Sequence, residues 1–405
     1  MSNKKYLLFT SLLLAAFNAN AQSSEHIQAR QLSLSAYINL AKENNLSVDN
    51  KRLALDSSIA NKDPMSARVI NPTLTYSRGS YNAQTPYVPY ASPPANTIAL
   101  SGIIEGWGKR AARQSLAESE IQKNEAELSA SSHALELEAS FAYFDALRPK
   151  LSIKAYQQAL EKSQSLNLPN TNPELAEFNQ KKQREMKNFR YFSLSMQTLI
   201  PKSPDLAVEP IGEGECKPLQ LQMQQLLSHA LSNRSDLSAM DQTLKTADSQ
   251  VTLTKNNRNI DIRPSVWTSR TPSYADGGTQ NGASTSMGFS IQVPIPIQLM
   301  YDADIVNANN NRQRVENNLQ NLKHQIRIDI EQSAMQYETA LNTYQEKQEI
   351  YKDTIKKYQA NTLKNIQVIL SAQLAMIDSR INHSKALVYL MNKSGNYDVS
   401  LYCQN

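Results

Sequence analysis

The sequence predicts a mainly α protein with a small β part: an internal repeat of long coiled-coil helices plus two β-hairpins. Three observations lead there. The chain is one unit written twice. Ala41 to Asn44 answers Ala230 to Asn233 at an offset of 189, Asn71-Pro72 answers Arg263-Pro264 at 192, and Leu135 to Asp145 answers Ile328 to Glu338 at 193. A repeat of this length fixes the architecture before any local motif is weighed. Each copy also carries two short stretches of alternating apolar and polar residues, and after them a very long stripe at helical spacing. Finally, 11 Gly and 7% aromatic residues in 405 argue for helix over a large β protein.

The elements follow in order. Lys4 and Lys5, the apolar run Tyr6 to Phe17 and Ala19-Asn20-Ala21 form a charged region, a short apolar core and a small-residue cleavage site. This is the pattern of a secretory signal peptide, residues 1–21. The run is too short for a membrane-spanning helix, which takes about 20 apolar residues. The first repeat is expected over 22–200. It opens with a helix over 32–68 carrying Leu34, Ile38, Ala41, Leu46, Leu53 and Ile59, ended by Asn71-Pro72, because the residue before a proline disfavours the α region. Strands over 72–80 and 96–104 follow, separated by a loop rich in Pro, Tyr, Asn and Ser. Next comes a long helix over about 105–163, kinked at Pro149, and a return helix starting at Asn172-Pro173 with Asn as cap and Pro at the first position.

An irregular linker over 201–217 leads to the second repeat, 218–395, with strands over 263–271 and 285–296. Its long helix, about 299–358, shows a stripe of Val315, Leu319, Leu322, Ile326, Ile330, Tyr337, Leu341 and Tyr344, which predicts coiled-coil packing. Each long helix spans on the order of 90 Å at 1.5 Å per residue. A tail over 396–405 closes the chain.

The strands have one apolar and one small polar face. Leu74, Tyr76, Ile98, Leu100, Met287, Phe289, Ile291 and Val293 are the expected lipid-facing residues, the pattern of a membrane barrel with a wet lumen. Trp267, Tyr76, Tyr81, Tyr87, Tyr90 and Tyr274 are candidates for its aromatic girdle. Four strands are too few to close a barrel, and an open edge is not tolerated in lipid. Three chains give twelve strands, so a homotrimer with a 12-stranded β-barrel on an α-helical tube is expected. The Asn-rich stretch Asn307 to Asn311, with Asn317, Asn318 and Asn321, is a candidate lining for that tube.

The chemistry-bearing residues are sparse. His133, His229, His324 and His383 fall within predicted helices without a nucleophile or a ligand pair, and helix-surface positions are expected for them. No catalytic residues, cofactor or metal site are predicted, so the chain is not expected to be an enzyme. Asp302 and Asp304 are read as a solvated helix start or, less favoured, a ring in a lumen. The formal charge of +5 falls by two when Lys4 and Lys5 leave with the signal peptide, which gives no reason to expect nucleic acid as a partner.

This organisation resembles the TolC-like outer-membrane efflux channel family over nearly the whole mature chain. The residues behind the resemblance are the A-x-x-N starts followed by Asn-Pro or Arg-Pro. To these are added Val293-Pro294-Ile295-Pro296 after the last strand, the turn Tyr358-Gln359-Ala360-Asn361, and Val368 to Gln373. Glu105-Gly106-Trp107-Gly108-Lys109-Arg110-Ala111 resembles the segment of the cobalt-zinc-cadmium (CzcC-type) branch. The resemblance implies a passive exit duct in the outer membrane with a periplasmic extension, with heavy-metal cations as the expected cargo. Its implied partners are a periplasmic adaptor protein, an inner-membrane efflux transporter and outer-membrane lipid, with Asn172, Pro173, Tyr358 and Asn361 at the periplasmic tip turns. In that architecture Cys216 and Cys403 share one belt around the tube; they either pair as a disulfide in the oxidising periplasm or remain two free thiols. The rival reading is a periplasmic coiled-coil adaptor or scaffold without a barrel, which has no use for the four alternating strands.

Overall fold

The computed structural model describes residues 30–69, 72–79, 94–164, 166, 173–203, 206–276, 279–295, 299–397 and 402–403. The expected signal peptide (1–21), Tyr81, Tyr87, Tyr90 and Asn172 lie outside these residues, as does the side chain of Tyr274.

The repeat is written into the element order. After β1 (Arg30–Leu32), the first copy runs through α1 (Leu34–Asn44), α2 (Leu46–Ser66), β2 (Thr73–Arg78), β3 (Asn96–Ser101), α3 (Lys109–Gln164) and α4 (Pro173–Gln197). After β4 (Val208–Pro210), the second copy runs through α5 (Met223–Asn233), α6 (Ser235–Asn257), β5 (Arg263–Thr271), β8 (Ser284–Gln292), α7 (Leu299–Lys357) and α8 (Leu363–Lys393). A small antiparallel pair, β6 (Tyr274–Asp276) and β7 (Thr279–Asn281), sits between β5 and β8.

The single opening helix expected over 32–68 is two helices. Asn45 takes an extended conformation (φ −84°, ψ 126°), and its Oδ1 accepts from the backbone N–H of Ser47 at 2.9 Å. An asparagine side chain offers the backbone this alternative to the helical bond, so it ends one helix and starts the next. The second copy breaks at the matching place, Arg234 (φ −65°, ψ 123°).

The chain divides into two units. A helical unit comprises the residues up to Asn50, Ser129–Ser235 and His324–Asn405; a strand-bearing unit comprises Lys51–Leu128 and Asp236–Lys323. In the helical unit the apolar stripes close over a core that includes Tyr37, Tyr143, Phe144, Leu147, Ile326, Ile330, Tyr337, Ile381, Leu387 and Leu390, all almost fully buried. Helix α3 runs on without interruption through Pro149, where a kink was expected. An interior proline costs about 3 kcal/mol. Here it is flanked by the buried Leu147 and Leu151 and by Lys150, which donates to the Pro210 carbonyl at 2.9 Å. These contacts hold both sides of the proline in helix. Part of the linker expected to be irregular is a strand: β1 and β4 pair in parallel, Arg30 opposite Val208 and Leu32 opposite Pro210.

In the strand-bearing unit β2, β3, β5 and β8 form one antiparallel sheet in that order. An isolated bridge between Ile104 and Ile262 extends the β3–β5 pairing. The sheet has two open edges, β2 and β8, among the described residues.

Candidate membrane face and helical belt

Register decides what the sheet presents. Residues directly opposite one another share a face, so the pairing writes rows across it. One face carries Tyr76, Ile98, Thr268 and Met287 in a row, then Leu74, Leu100, Val266 and Phe289, then Pro264 and Ile291. The Ile104–Ile262 bridge continues it. The large side chains here are exposed: Met287 is 82% accessible and Leu74 72%. Val293, just past β8, keeps the same alternation and is also exposed. The opposite face is small and polar, with Ser77, Thr97, Ser269 and Ser286 in one row and Thr73, Ser101, Ser265 and Ser290 in another. Thr97 Oγ1 donates to Ser269 Oγ at 2.9 Å, and the hydroxyls of Ser265 and Ser290 are 2.8 Å apart. The sheet thus sorts its apolar residues and its hydroxyls onto opposite faces, and both faces carry exposed side chains.

Trp267, a candidate for the girdle, lies on the polar face. It occupies the middle of β5 opposite Gly288, with its indole lying over that glycine; a Cβ on Gly288 would sit 2.4 Å from Trp267 Cζ2. A ring of that size fits on a face of hydroxyls only where the cross-strand neighbour has no side chain.

The apolar band has polar ends. One end is the row Arg78, Asn96 and Arg270. From Arg270 to Ile262 the strand rises about 26 Å at ~3.3 Å per residue. Past Ile104 the chain turns into α3 through the segment Glu105 to Ala111, in which Glu105, Gly106 and Lys109 are tied locally. Glu105 pairs with Arg113, Lys109 pairs with Asp261 at 2.8 Å, and the Gly106 N–H donates to Asp261 at 2.8 Å. Gly106 passes so close to Asn259 and Ile260 that a Cβ would meet their backbone at 2.8 Å. These residues build a tight strand-to-helix turn.

In the helical unit the stretch from Glu209 to Leu219 is tied down almost residue by residue. Tyr143 Oη, buried between α3 and this stretch, bonds the Leu32 carbonyl at 3.2 Å and also the Ile211 carbonyl. Arg380 reaches Glu213 at 3.3 Å, Ser384 Oγ donates to the Gly214 carbonyl at 2.8 Å, and Tyr344 Oη donates to Glu215 at 3.1 Å. Cys216 and Cys403 are joined in a disulfide, and the Lys217 N–H donates to the Tyr402 carbonyl at 2.8 Å beside it. Tyr337 Oη accepts from the Leu219 N–H at 2.7 Å. Burial pushes the phenols of Tyr143 and Tyr344 up to about 12, with Glu215 adding to the effect at Tyr344.

Two of the four helical histidines depart from the expected surface positions: His383 is buried and His133 half-buried. His383 is 1% accessible, stacked between Tyr344 and Tyr337 with centroids 5.5 Å away in both cases, and neither ring nitrogen has a hydrogen-bond partner. His133 stacks on Tyr397 at 3.6 Å; burial and the nearby Lys42 depress it to about 4. Both follow from helix position: His383 is four residues from the buried Leu387 and His133 three from the buried Glu136, spacings that share one face of a helix.

Of the expected tip residues, Pro173 is the exposed first residue of α4. Tyr358 and Asn361 lie in the turn between α7 and α8, where Asn361 Oδ1 accepts from Asn365 at 3.0 Å and Thr362 caps α8. Asp302 and Asp304 are exposed in the first turns of α7. No group of three or more His, Cys, Asp or Glu arranged to hold a metal occurs among the described residues, and no helix among them is long and apolar enough to cross a membrane.

No family profile and no curated protein sequence matches the chain. Solved structures do. A membrane protein from Pseudomonas aeruginosa matches with a TM-score of 0.66 at 14% identity over 89% of this chain and 93% of its own. The CmeC outer membrane channel of Campylobacter jejuni matches at 0.63 and 14% identity over 92% and 86%. CusC, whose structures concern folding and transmembrane channel formation, matches at 0.64 and 12% identity over 89% and 92%. The chain therefore has the TolC-like channel fold, mostly helical with a small sheet. These neighbours do not single out the cobalt-zinc-cadmium branch.

Proposed function

We propose that this chain is the outer-membrane channel subunit of a tripartite efflux system, a passive exit duct that catalyses no reaction. The single observation behind this reading is the four-stranded sheet: one face carries an exposed band of large apolar residues that ends in a row with Arg78 and Arg270, and both edges are open among the described residues. In water such a sheet invites aggregation; in lipid it is satisfied only by closure. Three copies supply twelve strands for a barrel, with Leu74, Tyr76, Ile98, Leu100, Met287, Phe289, Ile291 and Val293 facing lipid and the hydroxyl rows facing a wet lumen. The likeness to outer membrane channels supports the same reading. The helical part then extends into the periplasm, where the turns at Pro173 and Tyr358 to Asn361 meet a periplasmic adaptor and an inner-membrane transporter supplies the energy. Heavy-metal cations are the proposed cargo on the resemblance of residues 105–111 alone.

The test is the mass of the protein extracted from membranes, measured by light scattering in detergent, followed by conductance in a planar bilayer. Three chains of up to 45.4 kDa each that need detergent and conduct ions support the duct. A monomer or dimer recovered without detergent sinks it and leaves a periplasmic scaffold. Cargo is tested separately: loss of the gene should sensitise the host to divalent metals more than to organic compounds.

A further inference from the structure

A cavity of about 770 Å³ opens where β3 turns into α3. Its wall includes Arg68, Ile104, Glu105, Trp107 and Arg110. Ile104 is the last residue of the apolar sheet face, so the cavity continues that face. Trp107 is 92% exposed, an extreme value for the side chain with the largest apolar area. Its neighbours carry unbalanced positive charge. The one acid in the wall, Glu105, is engaged by Arg113, whereas Arg68 and Arg110 are exposed and, among the described residues, only the Nε of Arg110 is engaged, by the Ser66 carbonyl at 2.9 Å.

We infer that this cavity docks the headgroup of an anionic phospholipid, with Arg68 and Arg110 meeting the phosphate, Trp107 lying at the headgroup level and the acyl chains running along Ile104 onto the apolar face. The inference rests on the membrane reading above and adds to it a specific lipid class at a specific place. An indole beside guanidinium groups at the end of an apolar band is the arrangement that an interface between hydrocarbon and water favours, and basic residues there favour anionic over zwitterionic headgroups. An exposed tryptophan with no membrane against it has no comparable partner among the described residues.

The chain has two tryptophans, so Trp267→Phe leaves Trp107 as the only reporter. The full-length protein in detergent is titrated with brominated phosphatidylglycerol or brominated phosphatidylcholine, and quenching of Trp107 is read. Quenching is expected at roughly tenfold lower phosphatidylglycerol than phosphatidylcholine, from two arginines near one headgroup. The Arg68→Gln/Arg110→Gln variant is expected to abolish the difference. Because Trp267→Phe alters the sheet, lipid retention by the otherwise unaltered chain is measured in parallel by native mass spectrometry. Equal quenching by the two lipids overturns the headgroup site while leaving the membrane reading intact. Absence of quenching in a detergent-requiring trimer means a neighbouring copy covers the cavity, and also overturns it. Competition by millimolar inorganic phosphate reduces it to a bare anion site and overturns the lipid assignment. A protein that stays dispersed without detergent and binds neither lipid overturns both readings.

Discussion

The helical unit and the strand-bearing unit use the same residue types in opposite ways. In the helical unit Leu387, Ile330 and Tyr337 are withdrawn from solvent, and Tyr143, Tyr337, Tyr344 and Ser384 bond the stretch from Glu209 to Leu219. In the sheet, Leu74, Phe289 and Met287 stay exposed and the hydroxyls pair with one another across the other face. The first arrangement is stabilised by water's exclusion. The second is stable only if something other than water lies against it. One chain therefore carries two solvation regimes, and the mutations that tell them apart are those that mean different things in each.

The largest effect should come from the helical unit. Leu387→Ala removes a fully buried side chain, and such deletions cost about 2–5 kcal/mol through lost transfer and a residual cavity. Thermal unfolding in detergent should show a marked fall in Tm. In the sheet the informative change is a charge rather than a cavity. Phe289→Lys places an ammonium on the outward face, which costs about 2–4 kcal/mol at the centre of a bilayer. Ser290→Lys, one residue along on the hydroxyl face, should cost far less. Yield of folded protein in liposomes is the readout, and equal losses from the two variants would rule out a lipid-facing assignment for Phe289.

The disulfide sharpens the contrast from the other side. Cys216 and Cys403 are separated by 187 residues, and bridging residues so far apart in sequence removes much freedom from the unfolded chain, typically worth about 2–4 kcal/mol. Cys216→Ser/Cys403→Ser should lower stability by that order in the helical unit. Conductance of the proposed channel should be unaffected, since the bridge lies among residues of the other unit. A variant that unfolds as the parent does would show that the hydrogen bonds from Tyr337, Tyr344 and Ser384 already hold this stretch alone.

How much of this was legible in the sequence depended on whether pattern or partner decided the outcome. Period-two alternation from Ser286 to Val293 and the stripe from Leu319 to Tyr344 are local patterns, and they yielded the fold class. The break at Asn45 was missed because one side-chain hydrogen bond to Ser47 decides it, against an apolar periodicity that runs straight through. Pro149 was overestimated because the flanking contacts of Leu147, Lys150 and Leu151 come from segments far off in sequence. The strand at Val208 to Pro210 is three residues long and exists only because Arg30 to Leu32 lies beside it. Trp267 looked like a girdle residue because its face depends on register; Gly288, the only glycine in β8, was the available signal. The arginines of the turn cavity were passed over because Arg68 and Arg110 are 42 residues apart and no periodicity links them.

The smallest predicted effect concerns the two withdrawn histidines. Burial lowers both pKa values, that of His133 to about 4, with Lys42 acting in the same direction; at His383 the charge of Glu215 opposes burial without overcoming it. In the unfolded chain both return to about 6.5. Between the folded and unfolded values the unfolded state therefore binds more protons, and stability falls as pH drops. For His133 the loss begins near pH 6.5 and continues towards pH 4. Denaturant midpoints at pH 7.5 and pH 5 should differ, with the lower midpoint at pH 5. Carboxylates contribute little above pH 5, so His133→Gln/His383→Gln should remove most of the difference while lowering stability at pH 7.5 only modestly. The strand-bearing unit contains no histidine. Barrel conductance should accordingly be flat over the same pH range, and a parallel loss of conductance would mean that the two solvation regimes are coupled rather than independent.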